Sequence, residues 1–429
     1  MILVTLICLI RLISAFENGL GKKPQMGWNS WNKFGCDINE TVILGTAQKM
    51  KELGLLDYGY EYIVMDDCYA LKERDPTTHK LLADPGKFPN GIRNLSNQIH
   101  RLGFKFGMYS SAGRYTCAGY PGSLHYEQID AETFAHDWEI DYLKYDNCFN
   151  EGNSGTPQIS YQRYDVMSKA LINTGRPIFY SLCQWGEDQV WDWGSTLANS
   201  WRISGDIYDN FDRYDDRCPC ETYNCPAMQG QMCSMTNILE KAIPLGQRAS
   251  KFLGWNDLDS LEVGNGGMST DEYKAHFTLW AILKSPLVLG NDVAHMSKED
   301  LAIVTNRAII AINQDDSVPA SRVWKKTVDG GFLHLFTNTM GDGSFVVTLF
   351  NSGDTVNNTV LLFSDIFVDD RTNAAKSYNF TELWSNETIT ATEMLTTSIQ
   401  SHSVKIWWLD CPTKYFDGGT SMYPLHDEL

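Results

Sequence analysis

Between Pro24 and Asp315 short apolar runs alternate with segments of helical period, and most of the apolar runs close on polar or charged residues. Eight such runs follow in order: PQMGWNSW, EYIVMDD, KFGMYSS, DYLKYDN, PIFYSLCQW, SWRISGD, FLGWNDLD and SPLVLGND. Strands that alternate with helices bury their apolar surface as a parallel sheet covered by those helices. Eight repeats predict a (β/α)8 TIM barrel, whose chemistry sits at the carboxyl ends of the strands, where these polar residues fall. An open doubly wound sheet is the alternative, but no GxGxxG follows the first strand. The intervening segments fit helices: Ile43, Ala47, Met50 and Leu53 share one face of TVILGTAQKMKELG, and Ser269-Thr270 precedes DEYKAHFTLWAILK as a cap would.

After Pro319 the texture changes. GGFLHLFTN, GSFVVTLFN, TVLLFSDIF, SYNFTELW and SVKIWWLD are strand-like runs separated by Gly, Asn, Asp and Ser, with no long helix between them. The expected order is therefore a barrel over residues 16–318, an antiparallel β-sandwich over 319–410, and a tail over 411–429 rich in Gly, Pro and Asp.

The first 15 residues form an apolar run ending in Ser14-Ala15, too short for a comfortable membrane span. They read as a signal peptide, with a buried strand as the alternative. The last four residues, His426-Asp427-Glu428-Leu429, spell HDEL, an address read by a receptor for retention in the endoplasmic reticulum lumen. No later segment is long and apolar enough for a membrane span. Eleven cysteines and the sequons at Asn39, Asn94, Asn357, Asn379 and Asn386 fit the same oxidising route. The cluster Cys218, Cys220, Cys225 and Cys233 fits two disulfides, with a zinc site as the alternative. A formal net charge of −18 disfavours nucleic acid and anionic membrane surfaces as partners. Thirteen tryptophans are a weak pointer toward carbohydrate.

Chemistry is expected from the carboxylates at the strand ends. In YLKYDNC, strand period two places Lys144 and Asp146 on one face, which in a barrel points to the axis. The ammonium should keep Asp146 ionised and suited to nucleophilic attack; a structural ion pair is the alternative. In SWRISGD, Asp206 lies four residues after Arg202. A second carboxyl near an ionised one has its pKa raised and can act as a general acid. One ionised and one protonated carboxyl form the pattern of a retaining glycosidase. Asp66-Asp67 could bind sugar hydroxyls, cap the next segment or hold a metal. Trp255, Asp257 and Asp259 in GWNDLD are open in the same way.

At these residues the chain resembles the melibiase-type α-galactosidases, glycoside hydrolase family twenty-seven, and most closely their fungal secreted branch. PQMGWNSWNKFGC, YIVMDDCY, FGMYSSAGRYTCAGYPGSL, DYLKYDNC, TGRPIFYSLCQWG, NSWRISGD, GWNDLDSLEVGN and KSPLVLG carry the likeness, in order, across nearly all of the barrel. It implies a retaining exo-α-galactosidase without metal or organic cofactor. Asp146 would be the nucleophile and Asp206 the acid/base. Asp66 and Asp67 would bind the 4- and 6-hydroxyls, Trp28 would pack on the sugar, and Tyr109, Lys144, Arg202 and Cys117 would line the pocket. Cys183 and Trp185 would crowd the 2-position and favour galactose over N-acetylgalactosamine; Gln184 stands where some members have a glutamate. The resemblance further implies the disulfides Cys36–Cys68, Cys117–Cys148, Cys218–Cys233 and Cys220–Cys225, with Cys183 free. The substrate would be an α-galactosyl oligosaccharide or glycoconjugate. The competing readings are a transglycosylating relative and a non-catalytic lumenal lectin.

Overall fold

The computed structural model describes residues 16–213, 232–368 and 370–410. The expected signal peptide, the HDEL tail and the cysteines 218, 220 and 225 lie outside the described residues.

All eight expected barrel strands form. They are β1 (Met26–Asn29), β2 (Tyr62–Val64), β3 (Lys105–Ser111), β4 (Tyr142–Asp146), β5 (Phe179–Cys183), β6 (Ser200–Arg202), β7 (Trp255–Asp257) and β8 (Leu287–Leu289). Each is parallel to its neighbour, and β8 pairs with β1. Closure comes just past β7, where Leu261 bridges Leu289 and its N–H donates to the Val288 carbonyl at 2.7 Å. The ladder is thus a barrel rather than an open sheet, and it has no free edge.

The helices cover the outside, most by burying one face, whereas Thr270–Ile282 is buried nearly all round. The helix Glu40–Glu52 starts at Asn39, whose side chain accepts from the Val42 N–H, and it buries Ile43, Ala47 and Met50. The helix Thr270–Ile282 begins in a capping box between Ser269 and Glu272, which satisfies two backbone N–H groups that would otherwise lack partners. The alternation breaks once: between β5 and β6 the described chain runs through two 3-10 turns, Glu187–Asp192 and Gly194–Thr196, in place of an α-helix.

The second domain is built from eight antiparallel strands: β9 (Ser321–Val328), β10 (Gly331–Thr339), β11 (Phe345–Asn351), β12 (Asn357–Leu362), β13 (Ser377–Glu382), β14 (Thr388–Thr392), β15 (Met394–Ile399) and β16 (Ser403–Leu409). The run TVLLFSDIF is not one strand: β12 ends at Leu362 and Phe363–Ile366 is a short helix. Strand alternation sorts two buried faces. Leu335, Leu349 and Trp407 enter the sandwich's own core, whereas Phe336, Phe350 and Trp408 join the barrel's core. The sandwich therefore packs on the barrel through apolar surface. Polar ties cross beside it: Arg322 to Glu240 at 2.7 Å, Asn306 Nδ2 to the Leu383 carbonyl at 3.0 Å, and His402 to Glu272 at 2.8 Å.

Candidate active site

Register sets the layers at the carboxyl end of the barrel. Tyr109, Lys144 and Ser181 are level across β3, β4 and β5, and Ser111, Asp146 and Cys183 are level one step nearer the rim. The inward face of β4 thus carries Lys144 below Asp146, as period two requires.

Asp146 is 5% exposed. Its Oδ2 accepts from the Tyr109 hydroxyl at 2.8 Å and its Oδ1 from the Asn147 N–H at 2.9 Å. Asn147 is itself held, its Oδ1 by Arg163 at 2.5 Å and its amide nitrogen by Glu187 at 2.6 Å. Arg163 reaches in from the helix Pro157–Asn173, so the outer layer fixes the direction of the carboxylate.

Lys144 does not pair with Asp146. Its ammonium lies 2.8 Å from Asp66 Oδ2. Burial alone would lower the Lys144 pKa, but Asp66, with Cys183, Asp146 and Asp259, carries it well up. The expectation that Lys144 keeps Asp146 fully ionised is corrected accordingly: burial pushes the Asp146 carboxyl up to about 7 against the lowering field of Lys144, and the charge of Asp206 adds to the rise. Desolvation of a carboxylate outweighs one ammonium already shared with another acid.

Asp206 follows β6, and Arg202 Nη2 lies 3.0 Å from its Oδ1. Burial raises the Asp206 pKa, Arg202 opposes, and Asp259 adds to the rise. The same Arg202 nitrogen lies 2.7 Å from Asp259 Oδ2, which also accepts from the Ile207 N–H at 2.7 Å. Asp259, at φ +78°, therefore orients both the guanidinium and the backbone next to Asp206. Its position in GWNDLD was visible in the sequence, but not that function.

The pair at the end of β2 is fully enclosed, Asp66 at 1% and Asp67 at 2% exposed. Asp66 accepts from Asn29 Nδ2 at 2.8 Å as well as from Lys144, and Asp67 accepts from the N–H groups of Cys68 at 2.7 Å and Ala118 at 2.9 Å. Burial raises the Asp67 pKa. These protein donors fix the direction of both carboxylates.

The two expected disulfides within the described residues form, Cys36–Cys68 and Cys117–Cys148. Cys233 is disulfide-bonded as well. Cys117 sulfur lies 3.3 Å from Asp146 Oδ2. Gly113 permits this approach of the β3 and β4 loops, because a Cβ there would fall 1.8 Å from the Cys148 carbonyl oxygen. Cys183 is free and buried, and it packs with Trp185, Cys148 and Cys117 as an apolar wall. Burial raises its thiol pKa well above the ordinary value. Trp185 takes φ +58°, a costly conformation for a bulky residue. Among the described residues, the cluster with metal-ligand spacing is Cys117, Asp146 and Cys148, and its two sulfurs are bonded to each other.

Trp28 departs from expectation. Its ring is fully covered, with the indole N–H donated to the Asn291 carbonyl at 2.8 Å, so it offers no open face. Three positions on, Trp31 is partly exposed, and its backbone N–H is bonded at 2.8 Å to the Oδ1 of Asn29, whose amide nitrogen holds Asp66. Of the two rings in this motif, Trp31 is the one that is partly exposed.

Comparison with known proteins agrees with this geometry. Residues 23–315 match the family model alpha galactosidase A, and residues 330–409 match the alpha galactosidase C-terminal beta sandwich domain. The alpha-galactosidase mel1 of Schizosaccharomyces pombe is 59% identical over 391 residues, covering 91% of this chain and 89% of that protein. The alpha-galactosidase of Lachancea cidri is 50% identical over 387 residues, covering 87% and 81%. Among solved structures, alpha-galactosidase I from Mortierella vinacea superposes with a TM-score of 0.87 at 47% identity over 92% of this chain and 98% of its own. The Saccharomyces cerevisiae enzyme with raffinose gives 0.87 at 41%, covering 91% and 98%.

Proposed function

The chain belongs to the alpha-galactosidase family, and from that premise we propose that it is a retaining exo-α-galactosidase, with Asp146 as nucleophile and Asp206 as acid/base. One observation supports the assignment of roles above the others: a buried carboxyl and a partly buried one interact electrostatically, the first held by donors from Tyr109 and Asn147, the second by Arg202. The mutual repulsion favours a pair that shares one proton. We infer that in the reactive state the proton is on Asp206, with Asp146 held as the anion by Tyr109 and Asn147.

In that state Asp206 protonates the departing glycosidic oxygen while Asp146 attacks the anomeric carbon. The bond from C1 to the aglycone oxygen breaks as the bond from C1 to Asp146 forms. Asp206 then takes a proton from water, whose oxygen displaces Asp146, and galactose leaves with its α configuration kept. Asp66, Asp67 and Lys144 hold the hydroxyl groups, with Trp31 rather than Trp28 as the ring against the sugar. Cys183 and Trp185 close the 2-position. The reaction so written needs no cofactor.

The substrate class is a terminal α-galactoside of an oligosaccharide, as the raffinose bound by the Saccharomyces cerevisiae relative supports, or of a glycoconjugate. Both carboxyls are present, so no observation favours a non-catalytic lectin, and none favours transglycosylation. Passage through the secretory pathway, with lumenal retention by a receptor that reads HDEL, is part of the proposal; the disulfides and sequons support that route. Among the described residues no helix is long and apolar enough to cross a membrane. The test is proton NMR of melibiose hydrolysis. The first product should be α-galactose, and the Asp146→Asn enzyme should release none above background; early β-galactose would refute retention.

A further inference from the structure

Asn386 stands in the turn between β13 and β14. One carboxylate builds this turn: Glu382 Oε2 accepts from the N–H groups of Trp384 at 3.0 Å and Ser385 at 2.6 Å, and the Asn386 N–H donates to the Glu382 carbonyl at 2.8 Å. Asn386 takes φ +60°, a left-handed conformation that asparagine tolerates better than most residues. As a result Trp384 and Asn386 line the same cleft, of about 500 Å³, against Tyr58, Lys274, Glu299 and Arg307 of the barrel. That volume lies within the range of sites that take a small organic group.

The cleft is prepared on both sides. The Trp384 indole N–H is donated to Thr278 Oγ1 at 3.2 Å, which pins the ring to the helix Thr270–Ile282. The Arg307 guanidinium is stacked over Tyr58 at 4.2 Å, and the Lys274 ammonium lies 5.9 Å from the Trp384 ring centre. A flat ring with cationic donors beside it suits a group that has one apolar face and a polar edge.

The sequon Asn386-Glu387-Thr388 differs from the other four. Asn39 is occupied as a helix cap, accepting from Val42. Asn94 lies in a helix, with its sequon serine, Ser96, fully buried on the Glu139 carbonyl. Asn357 donates to the Thr355 carbonyl and Asn379 accepts from Thr390. Asn386 is exposed, and its carboxamide has no hydrogen-bond partner among the described residues.

We propose that Asn386 carries an N-linked glycan whose first N-acetylglucosamine sits in this cleft, its apolar face on Trp384 and its polar edge toward Lys274 and Arg307, joining sandwich to barrel. The proposal rests on the secretory reading above. In the transfer, Asn386 Nδ2 bonds to C1 of a lipid-diphosphate-linked oligosaccharide. The bond from C1 to the phosphate oxygen breaks, the lipid diphosphate leaves with the electron pair, and Nδ2 gives up a proton.

The test uses the full chain made through a yeast secretory pathway, with glycopeptides mapped by mass spectrometry. Asn386 should be occupied. Trimming every glycan to one N-acetylglucosamine with an endoglycosidase should leave Tm unchanged. Complete removal with a glycan amidase should lower it, and about 2 °C of that drop should vanish in Asn386→Gln, which itself starts lower by as much. Thr388→Val removes the sequon while keeping Asn386 and should behave as Asn386→Gln does. Trp384→Ala should abolish the Asn386 share of the difference. Sugar on other sequons with none on Asn386 would overturn the proposal alone, as would both sequon variants melting with the wild type. No sugar on any sequon would overturn the secretory reading as well.

Discussion

The Lys144 ammonium lies 2.8 Å from Asp66 Oδ2, which commits the charge on β4 to the end of β2 rather than to Asp146 on its own strand. Asp66 is 1% exposed, and Asn29 and the Asp67 N–H complete its set of donors. Asp66→Asn leaves the Lys144 ammonium without its partner, a change that costs roughly 3 kcal/mol or more in a buried pair. The expected outcome is a Tm lower by several degrees together with kcat/KM reduced by roughly 100-fold or more for p-nitrophenyl α-galactoside. A variant that matched the wild type in both would show the pair to be dispensable.

Arg202 bridges Asp206 and Asp259, and it lowers the Asp206 pKa against burial. Arg202→Met removes that opposition, so the Asp206 proton is held more tightly. The alkaline limb of the kcat/KM profile should then move to higher pH while kcat falls by about 100-fold. A loss of rate with an unmoved alkaline limb would show that Arg202 does not act through Asp206.

Burial raises both carboxyls of the Asp146–Asp206 pair, Asp146 to about 7, so the alkaline limb of the wild-type enzyme should lie above the ordinary carboxylate range. Stability follows the same protons. An acid whose folded pKa is raised binds more protons folded than unfolded, so its contribution is full below its ordinary value and is lost as pH rises through the folded one. For Asp146 that window runs from its ordinary 3.8 to about 7; Asp257, pushed up to about 6, and Glu262, pushed up to about 8, both mainly by burial, act in the same direction. Ligand-free protein should therefore melt higher at pH 5 than at pH 8. Asp146→Asn should flatten the slope, recovering roughly 4 kcal/mol at pH 8. A Tm that rises with pH across this range would contradict the burial argument.

Trp185, 4% exposed, seals the wall formed with Cys183, Cys148 and Cys117. Trp185→Ala leaves a cavity beside the nucleophile at a cost of about 3–5 kcal/mol. It should lower Tm and relax discrimination at the 2-position, read as the ratio of kcat/KM for the α-galactoside to that for the α-N-acetylgalactosaminide. An unchanged ratio would remove Trp185 from the specificity wall.

The barrel was legible because period and polarity coincide: each apolar run is short, and in most of them a polar or charged end marks the rim. The break between β5 and β6 was not, since the Trp-rich stretch after Cys183 has the composition of a helix flank but turns at Trp185, Asp188 and Gln189 through positive φ. In the sandwich, β9, β14 and β15 escaped because their residues are largely exposed and polar, which removes the apolar alternation that marks a strand. At the site, Asp146, Asp206 and Arg202 stood out as charges at strand ends. Lys144 stood out too, but strand period gives a face and not a partner, and its partner came from β2. Trp28 and Trp31 share one motif, and only packing against Asn291 separates the buried ring from the open one. Arg163 had no local signal, because it acts across the barrel wall from a helix.

As the proposed nucleophile, Asp146 should form a covalent galactosyl-enzyme. Incubation with 5-fluoro-α-galactosyl fluoride, whose fluorine slows turnover of the intermediate, followed by peptide mapping, tests it directly. A single fluorogalactosyl adduct is expected on Asp146 in the segment Tyr142–Cys148, formed by the wild type and absent from Asp146→Asn. An adduct on another carboxylate, or steady turnover to the β-anomer without any adduct, would contradict it.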